Sequence, residues 1–170
     1  LAGQIWLTTA LEDGRSLHAV CVDQASGQIV RDVEVFRIKS AVTVHATNSH
    51  ASPTPVVEPG RVYVNFGTSG TACLDTATAG ILWKNTDLVL DHEVGPGSSP
   101  VLYQNLLLLT CDGYNTRYVA ALDKVTGKVV WNKPRPGALN KSGTINKAFS
   151  TPLIMRVENR DLAISPSAQQ

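Results

Sequence analysis

The chain is predicted to be an all-β repeat protein on three observations: an aspartate-centred turn that recurs, a Ser/Thr-Pro landmark that keeps step with it, and strand-like segments between them. The turn reads CVDQASGQIVR at 21–31, CLDTATAGILW at 73–83 and ALDKVTGKVVW at 121–131, so Asp23, Asp75 and Asp123 lie 52 and 48 residues apart. The second landmark is SPTP at 52–55, SSP at 98–100 and STP at 150–152, with Pro55, Pro100 and Pro152 separated by 45 and 52 residues. Two landmarks in phase at a period near ~50 mark a repeat architecture.

In chain order, QIWLTTA, LHAVCVD and QIVRDVEVF read as the last three strands of a repeat whose first strand is missing. TPVVE (54–58), RVYVNF (61–66), TACLD (71–75) and ILWKN (81–85) form a complete repeat. They are rich in β-branched and aromatic residues, and Pro59-Gly60, Gly67 to Gly70 and the Asp75 to Gly80 turn divide them. RVYVNF alternates Val62, Val64 and Phe66 against Arg61, Tyr63 and Asn65, as a half-buried strand does. VLYQ, LLLLTC, YVAALD and KVVWNK repeat the pattern between 101 and 133, and PLIMRVE and DLAIS open one more repeat. No segment carries a helical period, and the count is thirteen strands. Four antiparallel strands every ~45–50 residues is the arithmetic of a β-propeller blade. The expected organisation is one partial β-propeller of about 3.5 blades: a blade part at 1–36, blades at 52–88 and 98–136, and a blade part at 150–170.

The turn has a physical logic. Asp123 can accept hydrogen bonds from N–H groups two and three residues on, Thr126 can do the same, and Gly127 supplies the positive φ where the chain reverses. Trp131 follows on the outer strand, where an indole can cover the turn of the neighbouring blade. Burying such a ring removes ~150–250 Å² from water, an upper bound of roughly 4–6 kcal/mol per junction. Asp75 and Trp83 hold the same positions one repeat earlier, whereas Arg31 stands in the tryptophan's place in the first copy.

Composition narrows the functions. A chain of 170 residues with 43% hydrophobic and 17% charged residues is long enough for one domain with a sizeable core. A net charge of +1 gives no electrostatic reason to expect nucleic acid or an anionic membrane as partner. The longest apolar run, Leu106 to Leu109, is far short of the ~20 residues a membrane helix needs. No basic and then apolar leader opens the chain, and LAGQIW reads as the middle of something longer. Cys21, Cys73 and Cys111 lack C-x-x-C spacing and read as free, buried small hydrophobes, so neither zinc nor a disulfide framework is expected.

ALDKVTGKVVW resembles the tryptophan-docking motif of quinoprotein-type propellers, the A-x-D-x-x-T-G-K-x-x-W pattern of pyrroloquinoline quinone (PQQ) repeats. The resemblance covers nearly the whole chain and weakens where Ala79-Gly80 replaces the Gly-Lys pair and where Arg31 replaces tryptophan. SPTPVVEPGRVYVNFGTSGTACLD and GPGSSPVLY look most like bacterial, especially planctomycete, PQQ-repeat proteins. The family includes PQQ-dependent alcohol dehydrogenases and non-catalytic scaffolds similar to the outer-membrane assembly lipoprotein. Its closed rings have seven or eight blades, so the resemblance implies a piece of a longer gene product or, alternatively, copies that complete a ring. Exposed edges near Gln4 and Ile164 then lead us to expect self-association. The family's dehydrogenases carry adjacent cysteines and a calcium set of Glu, Asn and Asp, and neither is recognisable here. The expectation is therefore a non-catalytic interaction or ligand-binding scaffold with no cofactor, with a fragment of a PQQ- and calcium-dependent alcohol dehydrogenase as the alternative. A periplasmic or secreted location is implied by resemblance.

Candidate binding residues sit in the segments that lead into the innermost strands, HATNSHASPTP, DHEVGPGSSP and NKSGTINKAFSTP, which carry His45, His50, His92, Glu93, Asn146 and Lys147. Histidines there could hold a metal or take a proton near neutral pH, but His45 and His50 fix no metal geometry and are expected as solvated loop residues. His18 lies inside a strand and reads as structural. The hairpin TCDGYNTRY offers Asp112, Asn115 and Arg117 to an anionic or sugar-like ligand; the plainer reading is a turn with Arg117 in solvent. His50, His92, Asp112, Asn115, Arg117 and Lys147 form the candidate ligand set; Asp75, Trp83, Asp123, Thr126, Gly127 and Trp131 form the blade-docking set. NFGTSG lacks the GK[ST] of a phosphate loop, and no G-x-S-x-G or H-E-x-x-H motif occurs, so no catalytic or metal residue is assigned.

Overall fold

Segments in which every second residue is apolar bury one face only by pairing, and they pair here into antiparallel ladders. The computed structural model describes residues 3–168 and contains thirteen strands among them. The first blade is β1 (Gln4–Ala10), β2 (Ser16–Asp23) and β3 (Ile29–Arg37). The second is β4 (Val56–Glu58), β5 (Arg61–Asn65), β6 (Thr71–Asp75) and β7 (Ile81–Asn85), in that spatial order. The third repeats it with β8 (Val101–Tyr103), β9 (Leu106–Asp112), β10 (Arg117–Asp123) and β11 (Val129–Pro134). In the fourth, β12 (Leu153–Val157) pairs with β13 (Arg160–Ile164). The architecture is a partial β-propeller of antiparallel blades.

Two apolar seams join the blades. Trp6, Leu17 and Val35 of the first pack on Val62, Val64 and Leu74 of the second. Tyr63, Cys73 and Trp83 of the second pack on Leu107, Leu109 and Leu122 of the third. The three cysteines are free and buried, and burial pushes the Cys73 thiol up to about 11 and that of Cys111 up to about 12, which leaves little thiolate at neutral pH.

The aspartate turn has one construction in all three copies. Asp123 Oδ1 accepts from the N–H of Val125 (3.1 Å) and of Thr126 (2.8 Å) and from the Thr126 hydroxyl (2.9 Å). Asp75 does the same with Ala77 and Thr78, and Asp23 accepts from the Ser26 N–H and hydroxyl. Gly127 adopts φ 73°, and Ala79 occupies the same left-handed position at φ 61°. That conformation costs a non-glycine residue roughly 1–2 kcal/mol, which burial of the Ala79 methyl in the first seam partly offsets.

Trp83 lies on this turn of the next blade. Its Nε1–H donates to Lys124 O (3.0 Å), and a Cβ placed on Gly127 would come within 2.5 Å of the indole. Beside it, Asn85 Nδ2 donates to Gly127 O (2.9 Å), while Lys124 Nζ reaches Glu58 (2.7 Å). In the first blade, Arg31 takes the tryptophan's place and its guanidinium turns back to Val30 O. The aromatic ring has moved two strands inward along the same row: Trp6 pairs with Cys21, which pairs with Arg31, just as Tyr63, Cys73 and Trp83 align. Gln4 Nε2 donates to Thr76 O (3.1 Å), the counterpart of the Trp83 bond to Lys124 O.

The Ser/Thr-Pro landmark is an inter-blade staple. Thr54 N–H donates to Ser99 Oγ (2.9 Å) and Ser99 N–H donates to Thr151 Oγ1 (3.1 Å), so each hydroxyl accepts from the preceding blade's lead-in segment. These segments precede short inner strands and have few ladder partners, and the hydroxyls supply the missing acceptors.

Candidate functional site

The three lead-in loops converge, held by their own polar groups. His45 N–H donates to Val94 O (3.1 Å), and Asn48 Nδ2 donates to Val94 O (2.9 Å) and Pro96 O (3.0 Å), which fastens the first loop to the second. Lys147 Nζ meets Glu93 Oε2 at 2.5 Å and lies over the Tyr114 ring, which fastens the second to the third. Asn146 Nδ2 donates to Tyr114 O (3.1 Å) and Asn140 O (3.1 Å), while Tyr114 N–H donates to Asp91 O (2.6 Å). Between the loops lies a groove of about 360 Å³ lined by His45, Thr47, Asn48, Val94, Gly97 and Phe149. Its size falls within the ~300–1,000 Å³ of ligand pockets.

The six candidate ligand residues are placed as follows. His50 Nε2 lies 2.9 Å from Val42 O, with the ring packed on Gly14. Asn115 Oδ1 accepts from Asp91 N–H (3.0 Å). Arg117 is buried rather than solvated, because its Nη2 donates to the carbonyls of Pro136, Gly137 and Ala138 at 3.1–3.3 Å. Asp112 is buried against Arg135, whose Nε lies 2.8 Å away. Lys147 is buried beneath its pair with Glu93. His92 is 7% exposed, and neither ring nitrogen has a hydrogen-bond partner. Nε2 packs on Gly67, where a Cβ would lie 2.2 Å from it, and the ring borders a cavity of about 20 Å³, space for about one water. Phe149, Val94 and Asn48, which shape the groove, carried no sequence signal beyond their place in the lead-in loops.

Burial lowers the His92 pKa to about 4; Asp91 opposes the shift and Lys147 reinforces it. The fold therefore favours neutral His92. Its contribution is complete above the usual imidazole value near 6.5 and falls as pH drops toward 4, because only the unfolded chain takes the proton. From pH 7 to pH 5 this predicts a loss of about 2 kcal/mol in urea-unfolding free energy. His92→Leu should flatten that difference; an identical pH dependence in the variant would refute the assignment.

Ser16 Oγ lies 2.9 Å from His18 Nε2, and His18 Nδ1 lies 2.7 Å from Asp32 Oδ1, the order of a nucleophile, base and orienting acid. Ser16 is fully enclosed, however, and its hydroxyl also donates to Glu34, which Arg37 pairs. With no access for a substrate, the chain of bonds serves to link β2 and β3. Among the described residues, no three His, Cys, Asp or Glu side chains gather where a metal could bind.

A family profile described as outer membrane protein assembly factor BamB matches residues 12–166. Comparison with curated protein sequences gives no match. Among solved structures, BamB from Moraxella catarrhalis superposes with a TM-score of 0.62 at 18% identity, covering 95% of this chain and 43% of that one. A europium-containing methanol dehydrogenase gives 0.60 at 15% identity, covering 81% and 24% respectively. Quinohemoprotein alcohol dehydrogenase from Comamonas testosteroni gives 0.57 at 15%, covering 77% and 19%. This chain spans less than half the length of each, and at these identities the likeness is one of fold.

Proposed function

Since the chain belongs to the PQQ-repeat β-propeller family of outer membrane protein assembly factor BamB, we propose that it is a non-catalytic binding scaffold that works through its lead-in loop face. The observation that carries this reading is the groove itself. Asn48, Asn146, Lys147 and Glu93 hold its walls in place, and its lining is largely apolar. That is how a preformed recognition surface is built, with the polar side chains used in positioning rather than chemistry. The partners proposed are proteins or small ligands, and the location proposed is extracytoplasmic, both by family. No helix among the described residues is long and apolar enough to cross a membrane.

The family also includes dehydrogenases that use PQQ with calcium. Calcium takes six to eight oxygen ligands, and no cluster of three or more His, Cys, Asp or Glu side chains occurs among the described residues, so the dehydrogenase is kept as the second reading. The deciding experiment adds PQQ, calcium and a primary alcohol to the purified chain and follows reduction of an artificial dye. No alcohol-dependent reduction is expected. Turnover above the alcohol-free control would replace the scaffold reading with the oxidoreductase one.

A further inference from the structure

We propose that copies of this chain associate head to tail, the free face of the fourth blade of one copy packing on the free face of the first blade of the next; this stands independently of the scaffold reading. The chain itself shows what covers such a face, because it contains the contact twice. Strand register sets one row of apolar pairs in each blade: Val62–Leu74–Ile81 in the second, Leu107–Leu122–Val129 in the third and Ile5–Val22–Ile29 in the first. Val64–Ala72, Leu109–Ala120 and Leu7–Val20 form the next row on the same face. On the second blade this face receives the first blade, and on the third it receives the second. Val62, Val64 and Leu74 are fully buried there, whereas Ile5, Leu7 and Ile29 are 44%, 46% and 64% exposed. The first blade therefore presents a receiving face with the pattern that a preceding blade covers.

The covering face stands at the other end. On β12 and β13, Ile154, Asp161 and Ala163 border the cavity shared with Tyr103, Leu108 and Trp131 of the third blade. Alternation puts Leu153, Met155, Val157 and Ile164 on the opposite face, and all four are exposed. Val157 and Arg160 close their hairpin as Glu58 and Arg61 close theirs, so Met155 holds the place from which Val56 packs into the second seam. Charge matches in the same register. Asp123 owes its lowered pKa first to hydrogen bonds from Thr126, and Arg61 of the preceding blade lowers it further. Asp23, in the same place on the first blade, is lowered by hydrogen bonds of its own turn alone, Ser26 first and then Ala25. Docked as the internal seams are, Arg160 of one copy comes toward Asp23 of the next, as Arg61 stands toward Asp123. The two faces are different surfaces, so the contact is heterologous and each copy can be engaged at both ends.

The test is sedimentation velocity on the whole chain and on Leu7→Lys and Leu153→Lys, one substitution in each face. The wild type should associate with a Kd at or below about 50 μM, and each variant alone should be monomeric at about 200 μM, at least about tenfold weaker. An equimolar mixture of the two variants should form one-to-one dimers and nothing larger, because the Leu7→Lys copy keeps its fourth-blade face and the Leu153→Lys copy keeps its first-blade face. Both substituted side chains are exposed, and circular dichroism checks that each variant keeps the fold. A wild type that is monomeric at about 200 μM would overturn the proposal and leave both faces to a different polypeptide. Association that survives in either variant would overturn it in favour of backbone pairing at the β1 or β13 edge, or of a self-complementary contact. A mixture no more associated than its components would overturn the head-to-tail order.

Discussion

Trp83→Ala should lower the unfolding free energy by about 3–5 kcal/mol, the range of buried aromatic truncations, whereas Trp131→Ala should cost about 1 kcal/mol or less. Both tryptophans end the same motif one repeat apart, and surroundings make the difference. Trp83 is 8% exposed; its indole rests on Gly127, its Nε1–H donates to Lys124 O, and its ring centroid is 6.0 Å from that of Tyr63. Removing it opens a void between two blades and strips an acceptor of its donor, both of which add to the lost transfer energy. Trp131 is half-buried and borders a cavity of about 130 Å³ with Tyr103, Leu108 and Leu162, so its truncation removes less buried contact than that of Trp83. Gly127→Ala should act from the other side, placing a methyl against the Trp83 ring at a φ of 73°. Urea denaturation of the variants decides the matter. Equal losses for the two tryptophans would show that the indole's place in the motif, rather than its seat on the next turn, sets its worth.

The turns were legible in the sequence because their chemistry is local: Asp, Thr and Gly act within five residues of one another. The strand pattern was legible for the same reason, since period-two alternation needs no knowledge of partners. What was not legible is what depends on rows across strands. Arg31 reads as a missing aromatic, and only the register Trp6–Cys21–Arg31 shows that the ring sits two strands inward. The site was less legible still. Asp112, Arg117 and Lys147 look like ligand contacts because loop charges are normally solvated and available. Here each is buried against a partner 19 to 54 residues away, so its polarity is consumed in holding loops. The groove those loops frame is shaped by Phe149 and Val94, residues that a sequence presents as ordinary apolar positions. Their exposure follows from where three distant loops meet.

The most exacting of those internal contacts is the pair Asp112–Arg135, and Arg135→Met should cost about 3–5 kcal/mol at neutral pH, the range for stranding one member of a buried ion pair. Arg135 Nε lies 2.8 Å from the Asp112 carboxylate, while its Nη1 and Nη2 donate to Ser165 O (2.6 Å) and Ser165 Oγ (2.7 Å). One guanidinium thus joins β9 to the chain just past β13. Burial raises the Asp112 pKa above the usual carboxylate value, and Arg135 only partly offsets it. A carboxyl with a raised folded pKa is at its most favourable below the unfolded value, and that benefit is lost as pH rises through the folded value. At neutral pH the ionised Asp112 is therefore a strained group that depends on Arg135. Two consequences separate this account from simple loss of packing. Arg135→Met should recover part of its deficit as the pH is lowered and Asp112 takes a proton. Adding Asp112→Asn should rescue the variant at neutral pH, because the amide removes the stranded charge. Hydrogen exchange should also quicken at Ile154 to Val157, whose blade loses its tie to the third. Urea midpoints at two pH values measure the first two effects directly. An Arg135→Met loss that neither acid nor Asp112→Asn relieves would mean that the guanidinium acts through its bonds to Ser165 rather than by compensating a buried charge.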